Sequence, residues 1–219
     1  MKKFVLFVLC AMLSTAVMTG CGEESPFVQK EYVASASEVS EININVRDRK
    51  IEVLSSDDGD IRIVYSENDA YAYDIAVSDD GTLTMTCKND KDIADYFGLK
   101  PSDADLTVSL CVPDGMVERL TLCTTNEDIT LEPLSVSESA DIETNGGNIE
   151  FESLDVGSGI SLTAKNGDID GTIVGGWDDF SMDVDIKKGE CNLPTEKTGG
   201  EKTLSVSENN GDVNIEFVG

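Results

Sequence analysis

A chain of 219 residues with 43 acidic and 16 basic side chains carries a formal charge of −27, and it contains no histidine. That charge repels nucleic acid and anionic headgroups. The missing imidazole removes the commonest general base and metal ligand.

The chain opens on Lys2 and Lys3, followed by an apolar run from Phe4 to Met18. The run is too short to span a bilayer comfortably and has the charge and length of a signal peptide. It ends Met18-Thr19-Gly20-Cys21, which resembles a bacterial lipobox with Met where that pattern usually has Leu. The resemblance makes Cys21 the lipidation site, with an ordinary secretory cut nearby as the alternative. Residues 1–20 are thus expected to leave as a lipoprotein signal, 21–40 to form a lipid-anchored tether and 41–219 to fold. Removing 1–20, which carry two lysines and no acid, takes the formal charge from −27 to −29. The remaining 199 residues suit one elongated domain, or two intimately continuous halves.

Alternation of apolar and polar residues begins at Ile42-Asn43-Ile44-Asn45-Val46, turns at Asp48-Arg49-Lys50 and resumes at Ile51 and Val53. Such alternation buries every second side chain of a strand. It continues through Ile61, Ile63 and Tyr65, then Ile75 and Val77, then Leu83, Met85 and Cys87. Asn89 to Pro101 breaks the pattern. Ile93, Tyr96 and Phe97 fall at helical spacing there, which predicts one short helical insertion near 89–100 whose aromatics plug a face of the fold. Leu106 to Val112 returns to strand.

From Leu120 to Phe217 one pattern is written five times, clearest within 119–219. Its apolar anchors are Ile129, Ile149, Ile169, Cys191 and Val213, spaced 20, 20, 22 and 22 residues apart. Two before each anchor stand Glu127, Gly147, Gly167, Gly189 and Gly211, and one before it Asp128, Asn148, Asp168, Glu190 and Asp212. Seven before it the column reads Leu122, Ile142, Leu162, Val184 and Val206, and nine before it Leu120, Ala140, Ile160, Met182 and Leu204. The offsets around Ile51 match. Each copy reads as strand, tight turn, strand, with the turn glycines expected to supply positive φ. Asn-Gly between alternating strands fits an antiparallel meander. Parallel coils of about 20–22 residues explain the constant offsets better, because stacking sets like over like. The expected fold is therefore all-β, a parallel β-solenoid or β-helix. Nothing obvious shields the coil ending at Phe217, which predicts self-association or a covering partner there.

Cys10 leaves with the signal, and Cys191, in an apolar column, reads as a small buried hydrophobe. Cys111 and Cys123 fall on polar parity. The pattern allows either a disulfide between them or free thiols, and favours the thiols. No CxxC pair supports zinc.

The Asn-Gly-Asp-Ile turns, Asp178-Asp179-Phe180-Ser181 and the ending Asn210-Gly211-Asp212-Val213-Asn214-Ile215-Glu216-Phe217 together resemble the bacterial DUF4097 β-strand-repeat family, often labelled adhesin-like. The resemblance implies a β-solenoid at the cell envelope and brings no catalytic residues with it.

The chemistry tested along the chain gives no catalytic residue, metal ligand or cofactor. Serines have no histidine to activate them and no GxSxG elbow. Carboxylate pairs are plentiful, but aromatic walls for a sugar are sparse. Asp57, Asp58 and Asp60, with Asp79, Asp80 and the stacked Asp128, Asp168 and Asp212, match no calcium loop and read as solvated turn acids. The expected function is a non-enzymatic, lipid-anchored envelope module, adhesin-like or scaffolding. It would sit on the outer face of the cytoplasmic membrane, or on an outer membrane, and contact protein or glycan but not nucleic acid. A sensor docking to a membrane partner and a carbohydrate-active β-helix enzyme are the alternatives.

Overall fold

The computed structural model describes residues 25–88 and 102–219. Residues 1–20, Cys21 and the insertion near 89–100 lie outside the described residues.

Two sheets face each other across one core. Sheet A runs, in spatial order, β1 (Val28–Ser35), β4 (Asp60–Glu67), β7 (Thr107–Pro113), β3 (Lys50–Ser56), β9 (Ile129–Leu131), β12 (Ile149–Val156), β14 (Ile169–Val174) and β18 (Val213–Val218), with β10 (Leu134–Val136) beside β12. Sheet B runs β5 (Tyr73–Val77), β6 (Thr82–Cys87), β2 (Glu41–Asn45), β8 (Arg119–Thr124), β11 (Ser139–Thr144), β13 (Gly159–Ala164), β17 (Lys202–Glu208), β15 (Phe180–Ile186) and β16 (Glu196–Lys197).

Each coil contributes one strand to sheet B, a turn, and one strand to sheet A. The rungs stack in parallel: β6/β7, β2/β3, β8/β9, β11/β12, β13/β14, β17/β18, and β15 with Cys191. This is the β-solenoid, and the meander is excluded. The columns are its core. Leu83, Ile42, Leu120, Ala140, Ile160, Leu204 and Met182 lie in register, all buried, as do Met85, Ile44, Leu122, Ile142, Leu162, Val206 and Val184. Full burial of each large aliphatic side chain stabilises by roughly 1.5–3 kcal/mol.

The rungs do not follow chain order. The fifth copy, β17/β18, lies between the third and the fourth, and the fourth forms the distal end. The coil ending at Phe217 is therefore not the bare terminus that the sequence suggests. β15 covers the edge of β17, and Asn192 covers that of β18. Asn192 Oδ1 accepts the Ile215 N–H at 3.0 Å and its Nδ2 donates to the Ile215 carbonyl at 2.9 Å, so one side chain imitates a neighbouring strand. Antiparallel strands close the other edges: β1 on β4, β4 on β7, β5 on β6 and β16 on β15.

Two expectations change, and the choice left open for Cys111 and Cys123 falls to the thiols that the pattern favours. The stretch assigned to the tether, 21–40, is already β1 from Val28 to Ser35, because Tyr32 and Ala34 pack against the core. Of the turn glycines, Gly189 takes positive φ, at 129°, but Gly147, Gly167 and Gly211 do not. Their reason is stacking: a Cβ at Gly147, Gly167 or Gly211 would come within 2.1–2.2 Å of a carbonyl one rung below, that of Glu127, Gly147 or Gly167. Finally, Cys111 and Cys123 lie on different sheets, and Cys87, Cys111, Cys123 and Cys191 are free thiols.

Candidate functional site

The outward rows of the two sheets carry the chemistry a partner would meet. On sheet A, position one after each anchor aligns Glu52, Thr130, Glu150, Asp170 and Asn214 across adjacent rungs. Rung spacing places these neighbours roughly 4.8 Å apart. The sheet breaks just beyond that row. β9 stops at Leu131, Pro133 can donate no backbone hydrogen bond, and the pairing of β12 with β14 slips between Phe151 and Leu154. The break opens a trough of about 520 Å³.

Its lining includes Val53, Leu54, Leu131 and Phe151, together with the carboxylates of Glu52, Glu132, Glu150, Glu152 and Asp170. Among the described residues no lysine or arginine lines it. Lys50 on the rim pairs with Glu52 at 2.8 Å, and that bond holds its ammonium above the usual lysine range. Glu132 Oε2 accepts the Ser55 N–H at 3.2 Å. An acidic channel with an apolar component suits an extended cationic segment. The repeat places Thr130, Glu150 and Asp170 in one polar column, one residue after their anchors, but gives that column no role. Glu132 and Glu152 were missed because the break that brings them alongside is a slip in register, which no residue spacing announces.

The acids weighed as calcium ligands have other occupations. Asp58 accepts from the Arg62 guanidinium at 2.9 Å and the Ser56 hydroxyl at 2.9 Å, and Arg62 above all holds its carboxyl below the usual range. Asp80 is likewise lowered, first by the Ser78 hydroxyl. Asp128, Asn148, Asp168 and Asp212 form a ladder. Each Oδ1 accepts the backbone N–H of the next rung, from Asn148, Asp168, Asp212 and Glu190, at 2.8, 2.9, 2.8 and 2.7 Å. Among the described residues no group of three His, Cys, Asp or Glu side chains could hold a metal ion. Burial pushes the Cys111 and Cys123 thiols up, away from the reactive thiolate. Trp177, in a 3-10 turn before β15, is 42 % exposed and packs edge-on against Phe217 at 5.3 Å. Among the described residues no helix is long and apolar enough to cross a membrane.

The Toastrack DUF4097 family model matches residues 39–140 and 117–216, two passes that overlap at 117–140. Among solved structures, a candidate cell adhesion protein from Clostridium sporogenes aligns with a TM-score of 0.58 at 10% identity, covering 88% of this chain and 100% of its own. A candidate adhesin from Bacteroides fragilis aligns with a TM-score of 0.35 at 14% identity, covering 88% of this chain and 97% of its own. No curated protein matches the sequence. The Clostridium likeness is one of fold.

Proposed function

The chain belongs to the Toastrack DUF4097 family, and from that premise we propose that it is a non-enzymatic, lipid-anchored contact module of the cell envelope. Cys21 carries the lipid, and the trough on sheet A receives a cationic, extended segment of a protein partner. The observation that carries the reading is the trough itself: five carboxylates and, among the described residues, no cation lining a cleft on a rigid stack. The description of the Clostridium neighbour as a candidate adhesion protein points the same way. At a formal charge of −29 after removal of 1–20, the chain is not drawn to anionic lipid. Covalent lipid is the feature left to retain it, and stable anchoring takes more than one acyl chain.

Two measurements test this. Cys21→Ala is expected to move the protein from the detergent phase to the soluble fraction without changing its melting curve. Retention after a high-salt wash would show that a protein, not lipid, holds it. For the trough, Glu150→Lys with Glu152→Lys is expected to weaken calorimetric binding of an extended lysine-rich peptide at least tenfold, about 1.4 kcal/mol. The same charge change on the outer face of sheet B, Asp141→Lys with Glu143→Lys, is expected to leave most of the affinity. Equal losses would mean that net charge, and not the trough, binds the peptide.

A further inference from the structure

Glu208 ends β17 with its side chain in the core and no exposed surface. Its column reads Thr124, Thr144, Ala164, Glu208 and Ile186 through five successive rungs. The threonines show what this position does at the corner of a coil. Thr124 Oγ1 donates to the Arg49 carbonyl at 2.8 Å, and Thr144 Oγ1 donates to the Glu127 carbonyl at 3.1 Å, each one rung below. Thr144 Oγ1 also accepts the N–H of Gly147 in its own turn, at 3.2 Å. At Thr144 the position thus uses one acceptor, for its own turn, and one donor, for the rung beneath, while Thr124 Oγ1 accepts the Arg49 N–H at 3.4 Å.

Glu208 meets the first requirement, since its Oε1 accepts the Asn210 N–H at 2.7 Å. Its Oε2 is buried without a hydrogen-bond partner. An ionised carboxyl has no proton to give, and a neutral one has a single donor. The carbonyl in the equivalent place beneath is that of Gly167. It points up at this rung, so close that a Cβ on Gly211 would lie 2.2 Å from it. We propose that Glu208 is kept as a neutral acid in the folded protein, donating to the Gly167 carbonyl as the threonines do below, and that its ionisation unlatches the two distal rungs.

The surroundings suit a neutral group. Ala164 lies below it and Ile186 above. Of the charges around it, Asp168 opposes ionisation. Asp168 and Asp212 each accept a ladder N–H, and Glu190, at the ladder's end, is exposed. Lys165 and Lys188 are exposed, and Lys187 Nζ is turned to Asn209 Oδ1 at 2.7 Å. Burial, resisted by the Asn210 and Asn209 N–H groups, pushes the carboxyl above 4.5. An acid raised by folding stabilises fully below its unfolded value, and that stability is lost as pH climbs through the folded value.

The test compares wild type with Glu208→Gln, whose amide supplies the donor at every pH. As pH rises from the unfolded glutamate value through the folded one, wild type should lose melting temperature relative to the variant. Exchange protection across β15 and β17 should fall by up to tenfold per pH unit between the unfolded and the folded value, in wild type alone. Parallel pH profiles would overturn the proposal. Should Glu208→Gln fail to fold, wild type labelled with 13C-glutamate decides. One carboxyl signal is expected to stay protonated as pH rises past the point where solvent-facing glutamates ionise. A spectrum of ionised glutamates alone would refute it.

Discussion

Gly167 and Gly59 look alike in the sequence and answer to different neighbours. A Cβ on Gly167 would lie 2.1 Å from the Gly147 carbonyl, whereas one on Gly59 would meet nothing within 4 Å. Gly167→Ala should therefore push two rungs apart, at a cost on the order of 3 kcal/mol. Gly59→Ala should be neutral or slightly stabilising, through the entropy of the unfolded chain. Urea unfolding of the two variants distinguishes stacking from turn conformation as the reason for the glycine column. If both are neutral, the close approach between rungs is wrong. The exception at Gly171, in a column otherwise apolar, is explained at this scale too: the ring of Phe151, one rung below, takes the space its Cβ would need, 2.4 Å away.

Rungs differ in how many neighbours depend on them. Ile149 lies mid-stack with rungs on both sides, whereas Val184 belongs to β15, at the distal end. Ile149→Asp leaves an unpaired charge in the core, a cost of about 3–5 kcal/mol, and should unfold the whole stack. Val184→Asp should fray the distal rung while protection persists from β2 to β13. Thr163→Asp, on the outer face beside Glu143, should cost less than about 1 kcal/mol. Exchange measurements on the three variants read this directly, and global loss in Val184→Asp would contradict a terminal place for β15. The edge of β18 makes a separate case. Asn192→Ala frees the Ile215 N–H and carbonyl that Asn192 now occupies. An exposed strand edge invites pairing, so light scattering should show concentration-dependent association that wild type lacks.

Across the whole molecule, the crossing of the chain is the unusual feature. After β15 and Cys191 the chain returns over the start of β15 to insert β17 on its inner side. The loop 197–202 is held there closely. Lys197 Nζ donates to the Phe180 carbonyl at 2.9 Å, and Ser181 Oγ donates to the Gly200 carbonyl at 3.0 Å. Gly200 passes so near that a Cβ would lie 2.2 Å from the Phe180 carbonyl carbon. Truncation after Gly200 would thus remove an internal rung rather than a terminal one, leaving β15 without the strand it stacks on. Such a chain should lose order over 177–197 as well, while the rungs from β2 to β14 persist. Retained protection of β15 in the truncated protein would show that it can dock on β13 directly.

The sequence by itself determined the rung. Alternation, a turn of fixed composition and constant offsets specify which side chains enter the core, and they did so from Ile42 onward as well as in the five clear copies. Parallel stacking followed, because columns repeat only when like lies over like. The order of the rungs was left to the tertiary structure, for the same reason. Columns of interchangeable Ile, Leu and Val let any coil fit on any other, so local pattern is degenerate in sequence of stacking. Ends break the tie: the fourth copy holds Glu190 where the ladder needs no further acceptor, Asn192 where a strand would otherwise follow, and a loop after it with Gly200 for the crossing. The trough on sheet A and the burial of Glu208 belong to the same class. Both arise where one rung departs from its neighbours, and a departure acquires meaning only once the neighbour it faces is fixed.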